Sequence, residues 1–427
     1  MFIKNQPSIL EIILLLLIII MVPRSGNSAI LFPVDGYFKT YSVLIKLPDI
    51  EKLQNSFYPD RYLGRVSHRL RLETHTSINN WMSFSAAYDF IPRIQDPYLF
   101  KNNIFLSDLS ASDYRAGDIE SPLYPSETEE NASFAVFQNL DRLSLTFRTH
   151  LADIIVGRQV IAWGSAHAVN PTDILTPFSF QTIDTENRRG VDAVRIRIPA
   201  GLMSEFDTGC VFGRNMKNRE NAYYMRFRTY IHKIDMTFLL MDFQKNIMAG
   251  WDLTGSLGGA GWWLEGSAVW HDVFTDKHDP DDKDYIRISL GVDYSFSSKS
   301  YGFLEYHFSG AGTDKTGQYI DLRKRSSLSE GAVYLMGRHY IIPGIQYQLT
   351  PLISLAGRFL WNVQDNSCLV APHIDYNISQ NIYMSGGGFV SLGERPVFDA
   401  TSISGFRMKS EFGSYPRIVY VSLQVYY

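Results

Sequence analysis

Apolar and polar residues alternate one by one through residues 140–148. Leu143, Leu145 and Phe147 fall on one face, and Arg142, Ser144, Thr146 and Arg148 on the other. A period of two predicts a β-strand with one apolar and one polar face. A tight turn at residues 150–153 then leads into a second strand, predicted to end at Trp163 and Gly164. One such hairpin fits two folds. A soluble sandwich would turn the apolar face inward, whereas a membrane barrel turns it to lipid and its arginines to a watery lumen.

The rest of the chain separates these options. Predicted strands arrive in pairs: residues 36–46 and 62–77, then a third ending near Phe90. An irregular stretch over 91–139 follows, with Pro92, Pro97, Pro122 and Pro125 and the acids Glu127, Glu129 and Glu130. Beyond the 140–164 hairpin and a loop over 165–189, further hairpins pair 191–199 with 204–212, 222–230 with 234–243, and 247–256 with 261–271. Three more pair 285–296 with 301–309, 340–349 with 352–362, and 369–378 with 382–390, before a last strand at 417–427. The total is about 18, an even number, as bacterial outer-membrane barrels require. Each connection from an even strand to the next odd one is a tight turn. The long connections (91–139, 165–189, 310–338 and 391–415) all lie on the opposite side. Short periplasmic turns and long external loops are the barrel asymmetry. The predicted fold is an all-β transmembrane antiparallel up-and-down barrel.

The last strand carries a second sign. Val419, Val421, Leu423, Val425 and Tyr427 share one face, opposed by Tyr420, Ser422, Gln424 and Tyr426. An apolar row ending in a C-terminal aromatic is similar to the signal read by the barrel-assembly machinery of Gram-negative bacteria. Val421, Leu423, Val425 and Tyr427 are therefore the expected assembly signal. At the other end, Lys4, the apolar run of residues 12–22 and Gly26-Asn27-Ser28 predict a cleaved signal peptide over residues 1–28, with the barrel as one domain over 29–427. No cysteine lies near that cleavage region, which argues against a lipid anchor. Cys210 and Cys368, the only cysteines, are expected to be unpaired packing residues. The 25 Tyr, 27 Phe and 31 Gly suit strands and turns, and a net charge of −4 offers nucleic acid no bulk polycation.

Gly157-Arg158-Gln159, Trp163-Gly164 and Asn170-Pro171-Thr172-Asp173 resemble the GRQ…WG…NPTD signature of a porin-like family of bacterial outer-membrane β-barrels. The stretch of residues 190–195 and the glycine-rich turn at 255–261 fit the same pattern. The resemblance implies an outer-membrane barrel. It implies no particular substrate and no catalytic residues.

Charge on the polar faces is mostly arginine. Arg65, Arg69, Arg71, Arg142, Arg148, Arg195, Arg197, Arg226, Arg228, Arg287 and Arg358 each oppose an apolar row and are expected to line a lumen. An Arg at mid-bilayer on the lipid face costs roughly 2–4 kcal/mol. Strand five resists assignment, because Ile154, Val156 and Arg158 share a parity. Inward acids are fewer (Glu73, Glu265, Asp293, Glu305), so the arginines read as a cationic wall, as paired filler, or as both. In the 165–189 loop, Asn170, Pro171 and Asp173 suit a rigid turn, either folded into the mouth as a constriction or packed on the surface.

Signs of catalysis are weak. His271-Asp272 and His278-Asp279 are similar to the His/Asp pairs of barrel-embedded hydrolases but also suit a solvated loop. The acidic run of residues 279–284 lacks the Gly and terminal Glu of a Ca²⁺ loop, so no metal site or cofactor is expected. The sequence points to a non-enzymatic channel for passive or facilitated diffusion of small solutes, with anions favoured. The runner-up is a surface barrel whose loops bind polysaccharide or a partner, with an outer-membrane hydrolase third. Expected partners are outer-membrane lipid, lipopolysaccharide and the assembly machinery, with a homo-oligomer as an option.

Overall fold

Among the residues described by the computed structural model (33–51, 62–100, 114–126, 128–273, 283–322, 325–400 and 405–427), 18 strands close into one antiparallel sheet. The signal-peptide region, Glu127 and the His278-Asp279 pair lie outside those residues. In order the strands are β1 (Asp35–Lys46), β2 (Tyr62–Asn79), β3 (Met82–Gln95), β4 (Phe134–Arg148), β5 (Asp153–Gln159) and β6 (Val191–Pro199). β7 (Glu205–Val211), β8 (Ala222–Ile231), β9 (Ile234–Phe243), β10 (Asn246–Leu257), β11 (Ala260–Trp270) and β12 (Tyr285–Ser295) follow. The wall ends with β13 (Ser300–Ser309), β14 (His339–Thr350), β15 (Ile353–Asn362), β16 (Ser367–Ser379), β17 (Ile382–Leu392) and a closing strand, Arg417–Tyr426. Each strand pairs with its sequence neighbour, and β1 pairs with the closing strand from Tyr37↔Tyr426 to Lys46↔Arg417. No edge is left, so every strand backbone has a partner in the one setting where water cannot supply it.

The outer face is apolar. Leu44, Leu72, Leu143, Leu145, Met225, Phe238, Leu240, Leu290, Val292, Leu304 and Ile345 are all exposed there. Exposed aromatics gather towards the strand ends. Trp81, Tyr230, Tyr294, Tyr347 and Tyr376 lie towards the short-turn side, and Tyr62, Phe134, Tyr223 and Trp270 towards the loop side. An apolar band flanked by aromatic girdles is built for a bilayer, and a closed antiparallel barrel of this kind belongs in the bacterial outer membrane.

Two expected boundaries are corrected. β5 stops at Gln159 rather than at Trp163-Gly164. Ile161 and Trp163 continue the alternation, but they do so by burying themselves inside the barrel once the chain has left the wall. The irregular stretch is shorter than 91–139, because β3 continues to Gln95 and β4 begins at Phe134. Pro92 signals a loop, yet it pairs with Val136 of β4 where the β2 ladder is interrupted between Phe90 and Arg93, so its missing N–H breaks no bond there. The unassigned faces of β5 are now clear. Val156 faces out beside Leu145, while Arg158 is buried at the rim against Asp118 and Asp192.

The long connections fold inward and fill much of the lumen. Residues 310–338 contribute two short helices, Tyr319–Leu322 and Ser326–Ser329. Tyr319, Leu322 and Leu328 join Ile161, Trp163, Ile174 and Leu175 in one core with inward residues of the wall such as Val211, Tyr224 and Met241. Residues 393–416 add Phe412 to a second core with Tyr340, Ile342 and Leu360. The two cysteines are free.

In the closing strand, Val419, Val421, Leu423 and Tyr427 are exposed on the lipid side while Tyr420 and Ser422 are buried. Tyr427 exchanges backbone hydrogen bonds with Gly36, and its hydroxyl donates to the Arg71 carbonyl at 3.2 Å. Replacing Tyr427 with Asp is expected to cut the yield of folded barrel severalfold. Gel mobility of unheated against boiled membrane extracts measures this, because only a closed barrel runs faster unheated.

Candidate functional site: a segment clamped across the lumen

Residues 160–190 leave the wall after β5, cross the interior and return at β6. Two buried carboxylates on the far wall hold the segment. Glu265 of β11 accepts from the backbone N–H groups of Ser165 (3.1 Å), Ala166 (3.0 Å) and Thr172 (2.9 Å), and from the Thr172 hydroxyl at 2.7 Å. Glu305 of β13 accepts from the N–H groups of His167 (2.8 Å), Ala168 (3.2 Å) and Val169 (3.0 Å), and from the Trp263 indole at 3.1 Å. A carboxylate offers about four acceptor sites, so each one is filled.

Gly164 and residues 170–173 have physical roles in this clamp. Gly164 has φ +101°, and a Cβ there would meet the Glu265 oxygens at 2.6 and 2.8 Å. Only glycine permits both the turn and the approach of the carboxylate. The Asn170 carbonyl accepts from the Asp173 N–H to close the NPTD turn, and Pro171 offers its carbonyl to Arg287. Asp173 is buried and paired with Arg188, with burial lifting its carboxyl to about 6 against that cation's pull. The loop that could have lain on the surface thus lies inside.

On the near side the segment is held by charge. Asp184 meets Lys39 of β1 at 3.3 Å and Arg69 of β2 at 3.0 Å, and Glu186 also meets Lys39. Burial works against ionisation of Asp184, but Lys39 and Arg69 outweigh it and hold its carboxyl below the usual range. Lys39 is almost wholly buried and is not among the residues the sequence singles out, although it shares its parity with the inward Tyr37 and Val43.

Most of the expected lining arginines are paired. Arg71 is buried against Asp89 (3.1 Å), Asp141 (3.0 Å) and Glu73 (2.8 Å), and Arg142 meets Asp141 at 2.5 Å. Arg195 grips the buried Asp207 at 2.6 Å, Arg197 meets Glu205 at 2.5 Å, and Arg226 stands 3.8 and 3.9 Å from Glu205 and Asp207. Arg228 pairs with Asp235 at 3.0 Å. Arg287 is buried against the carbonyls of Pro171 and Gly331. Arg65 stands in register between Val43 and Gln95. Arg148 and Arg358 are exposed and make no ion pair with any described residue.

Two cavities flank the crossing segment. The larger, about 1170 Å³, lies between β2–β4 and the loops, with six arginines (among them Arg69, Arg71, Arg115 and Arg189) against four acids. The second, about 410 Å³, lies between the segment and the β12–β17 side of the wall, and holds Arg188, Arg287 and Arg358 against Asp173. At the rim, the His271 imidazole meets Asn246 at 2.9 Å and the Ser326 hydroxyl at 3.4 Å, while its backbone N–H donates to Asp284 at 3.0 Å.

A wall of this strand number, closed and crossed by an inward loop, defines a porin-type barrel. Solved structures agree on the fold. Acinetobacter baumannii OccAB4 matches with a TM-score of 0.54 at 8% identity over 94% of this chain and 100% of that one. Pseudomonas aeruginosa OccD3 (OpdP) matches at 0.51 and 8% over 94% and 93%. A BenF-like porin from Pseudomonas fluorescens Pf-5 matches at 0.53 and 9% over 92% and 98%. No family profile and no curated protein matches the chain.

The clamp generates a direct expectation. Glu265→Ala strips the acceptor from four donors, each costing about 1–3 kcal/mol if left unsatisfied. Glu265→Gln keeps one acceptor oxygen. The Ala variant should melt earlier than the Gln variant, and both should show larger or noisier single-channel conductance as the segment loosens.

Proposed function

We propose that the protein is an outer-membrane channel for passive or facilitated diffusion of small solutes, with a preference for anions. The observation that carries this reading is the charge of the interior. Arginines outnumber acids in both main cavities beside the crossing segment, and low-dielectric walls strengthen the field of such an excess. The crossing segment, with Asn170, Pro171 and Asp173 at its turn, is the constriction. Paired arginines keep the passage in shape, and the surplus sets the sign of the field. Outer-membrane lipid and lipopolysaccharide surround the wall, and the row Val421, Leu423, Val425 and Tyr427 is the signal for the assembly machinery. The reading includes no catalytic step.

Planar bilayers test the proposal. Stepwise openings and a reversal potential on the chloride side in a KCl gradient are expected. A persistently silent protein would favour a barrel that displays its loops for binding. Arg197 and Arg228 are the more exposed members of the ion-pair cluster on β6 and β8, at 40% and 52%. Changing both to Gln leaves Glu205 and Asp235 without their closest cations, so the reversal potential should move towards potassium.

A further inference from the structure

The 410 Å³ cavity adjoins another. A smaller one of about 340 Å³, beside Tyr301, Phe303 and Gln346, shares four lining residues with it: His167, Ala356, Gly357 and Arg358. Tyr301 and Gln346 are paired towards the short-turn ends of β13 and β14, so the smaller cavity is on the periplasmic side of that junction. Ala356 and Gly357 present little or no side chain. The chemistry of the junction therefore belongs to His167, on the crossing segment, and Arg358, on the wall.

The His167 side chain is fixed by its neighbours. The His167 ring lies flat on Trp263, with centroids 4.1 Å apart and planes 18° from parallel, and meets the edge of Phe303. Trp263 itself lies across Gly291 of β12, where a Cβ would meet the indole at 2.0 Å. The Tyr301 hydroxyl is 3.2 Å from Nδ1, and Asp293 is 3.8 Å from Nε2. Beneath the ring, Glu305 and Glu265 are occupied by backbone N–H groups. The Arg358 side chain is exposed and has neither ion pair nor hydrogen bond with a described residue. That sets it apart from the paired arginines of β2, β4 and β6–β8.

We propose that His167 and Arg358 form the selective neck of a solute path through these two cavities, and that this neck discriminates small anions from cations. The proposal rests on the channel reading and assigns selectivity within it. The formal charge at the neck follows from these two groups and Asp293, 3.8 Å from the imidazole. With a neutral imidazole, Arg358 and Asp293 cancel. Protonation of His167 leaves one net positive charge, while loss of Arg358 leaves one net negative charge. Burial holds the His167 imidazole below the usual histidine value of about 6.5, against the pull of Asp293, so the added positive charge and the stronger preference for anions should appear only on the acid side of that value.

The test is the chloride-to-potassium permeability ratio of the full-length protein in planar bilayers, from about pH 8 to about pH 5. Wild type should show a ratio that rises on acidification. Arg358→Gln should lower the ratio severalfold at every pH, and Arg358→Lys should restore most of it. His167→Gln should keep the alkaline ratio and lose most of the acid rise, the remainder coming from Asp173 in the 410 Å³ cavity, whose carboxyl is lifted to about 6. Lys245→Gln, at the exposed β9–β10 turn, removes the same charge away from the neck and should leave the ratio unchanged. An unchanged ratio in a conducting Arg358→Gln channel would overturn the neck while leaving the channel reading intact. A wild-type protein that never conducts would overturn both.

Discussion

Two carboxylates buried in the barrel wall organise the interior. Glu265 and Glu305 are completely shielded from solvent, a position a carboxylate tolerates only when hydrogen bonds replace its lost hydration. Six residues of one segment supply that replacement, largely through main-chain N–H groups. The dependence is mutual. A loop crossing a lumen exposes backbone donors that no strand can satisfy, and a charge inside a wall needs donors that few neighbouring side chains offer. Each solves the other's problem, so the crossing segment has a defined path rather than a set of alternatives.

The wall obeys a simpler rule. Lipid outside requires apolar side chains on one parity, and closure through β1 and the closing strand removes the edges. On the other parity the interior is neither a uniform aqueous pore nor a dry core. Apolar clusters fill the side reached by residues 310–338, ion pairs stiffen the side near β2 and β6–β8, and the larger cavity opens beside the ion pairs of β2–β4. The resulting interior is chemically uneven, which on the proposed channel reading suits discrimination better than bulk flow.

The fold was legible because a period of two, repeated in hairpins with unequal connections, is hard to reconcile with anything but a membrane barrel. The lipid face of the closing strand could be read from Val419, Val421 and Leu423 alone. Pairing was harder. Arg195 and Asp207 lie on neighbouring strands in a register that alternation does not reveal, so a ladder of arginines looked more cationic than it is. The end of β5 was hidden for a related reason. Ile161 and Trp163 alternate because they enter a core, and alternation does not report which surface receives it. The clamp was least visible, since the partners of Glu265 and Glu305 are main-chain groups that any sequence carries. Gly164 and Thr172 were the available signals, and they became readable only once the carboxylates stood beside them.

The clamp also has a bearing on the order in which the molecule comes together. Ser165 and Glu265 are 100 residues apart in the chain, and His167 and Glu305 are 138 apart. The segment is synthesised well before either acceptor exists. Until β11 and β13 have joined the sheet, its N–H groups can be satisfied only by water, and such distant closures are slow. The partly built barrel must therefore remain hydrated inside, with residues 160–190 unanchored on their far side. The narrowing of the interior therefore waits on the incorporation of β11 and β13, the strands that carry its acceptors.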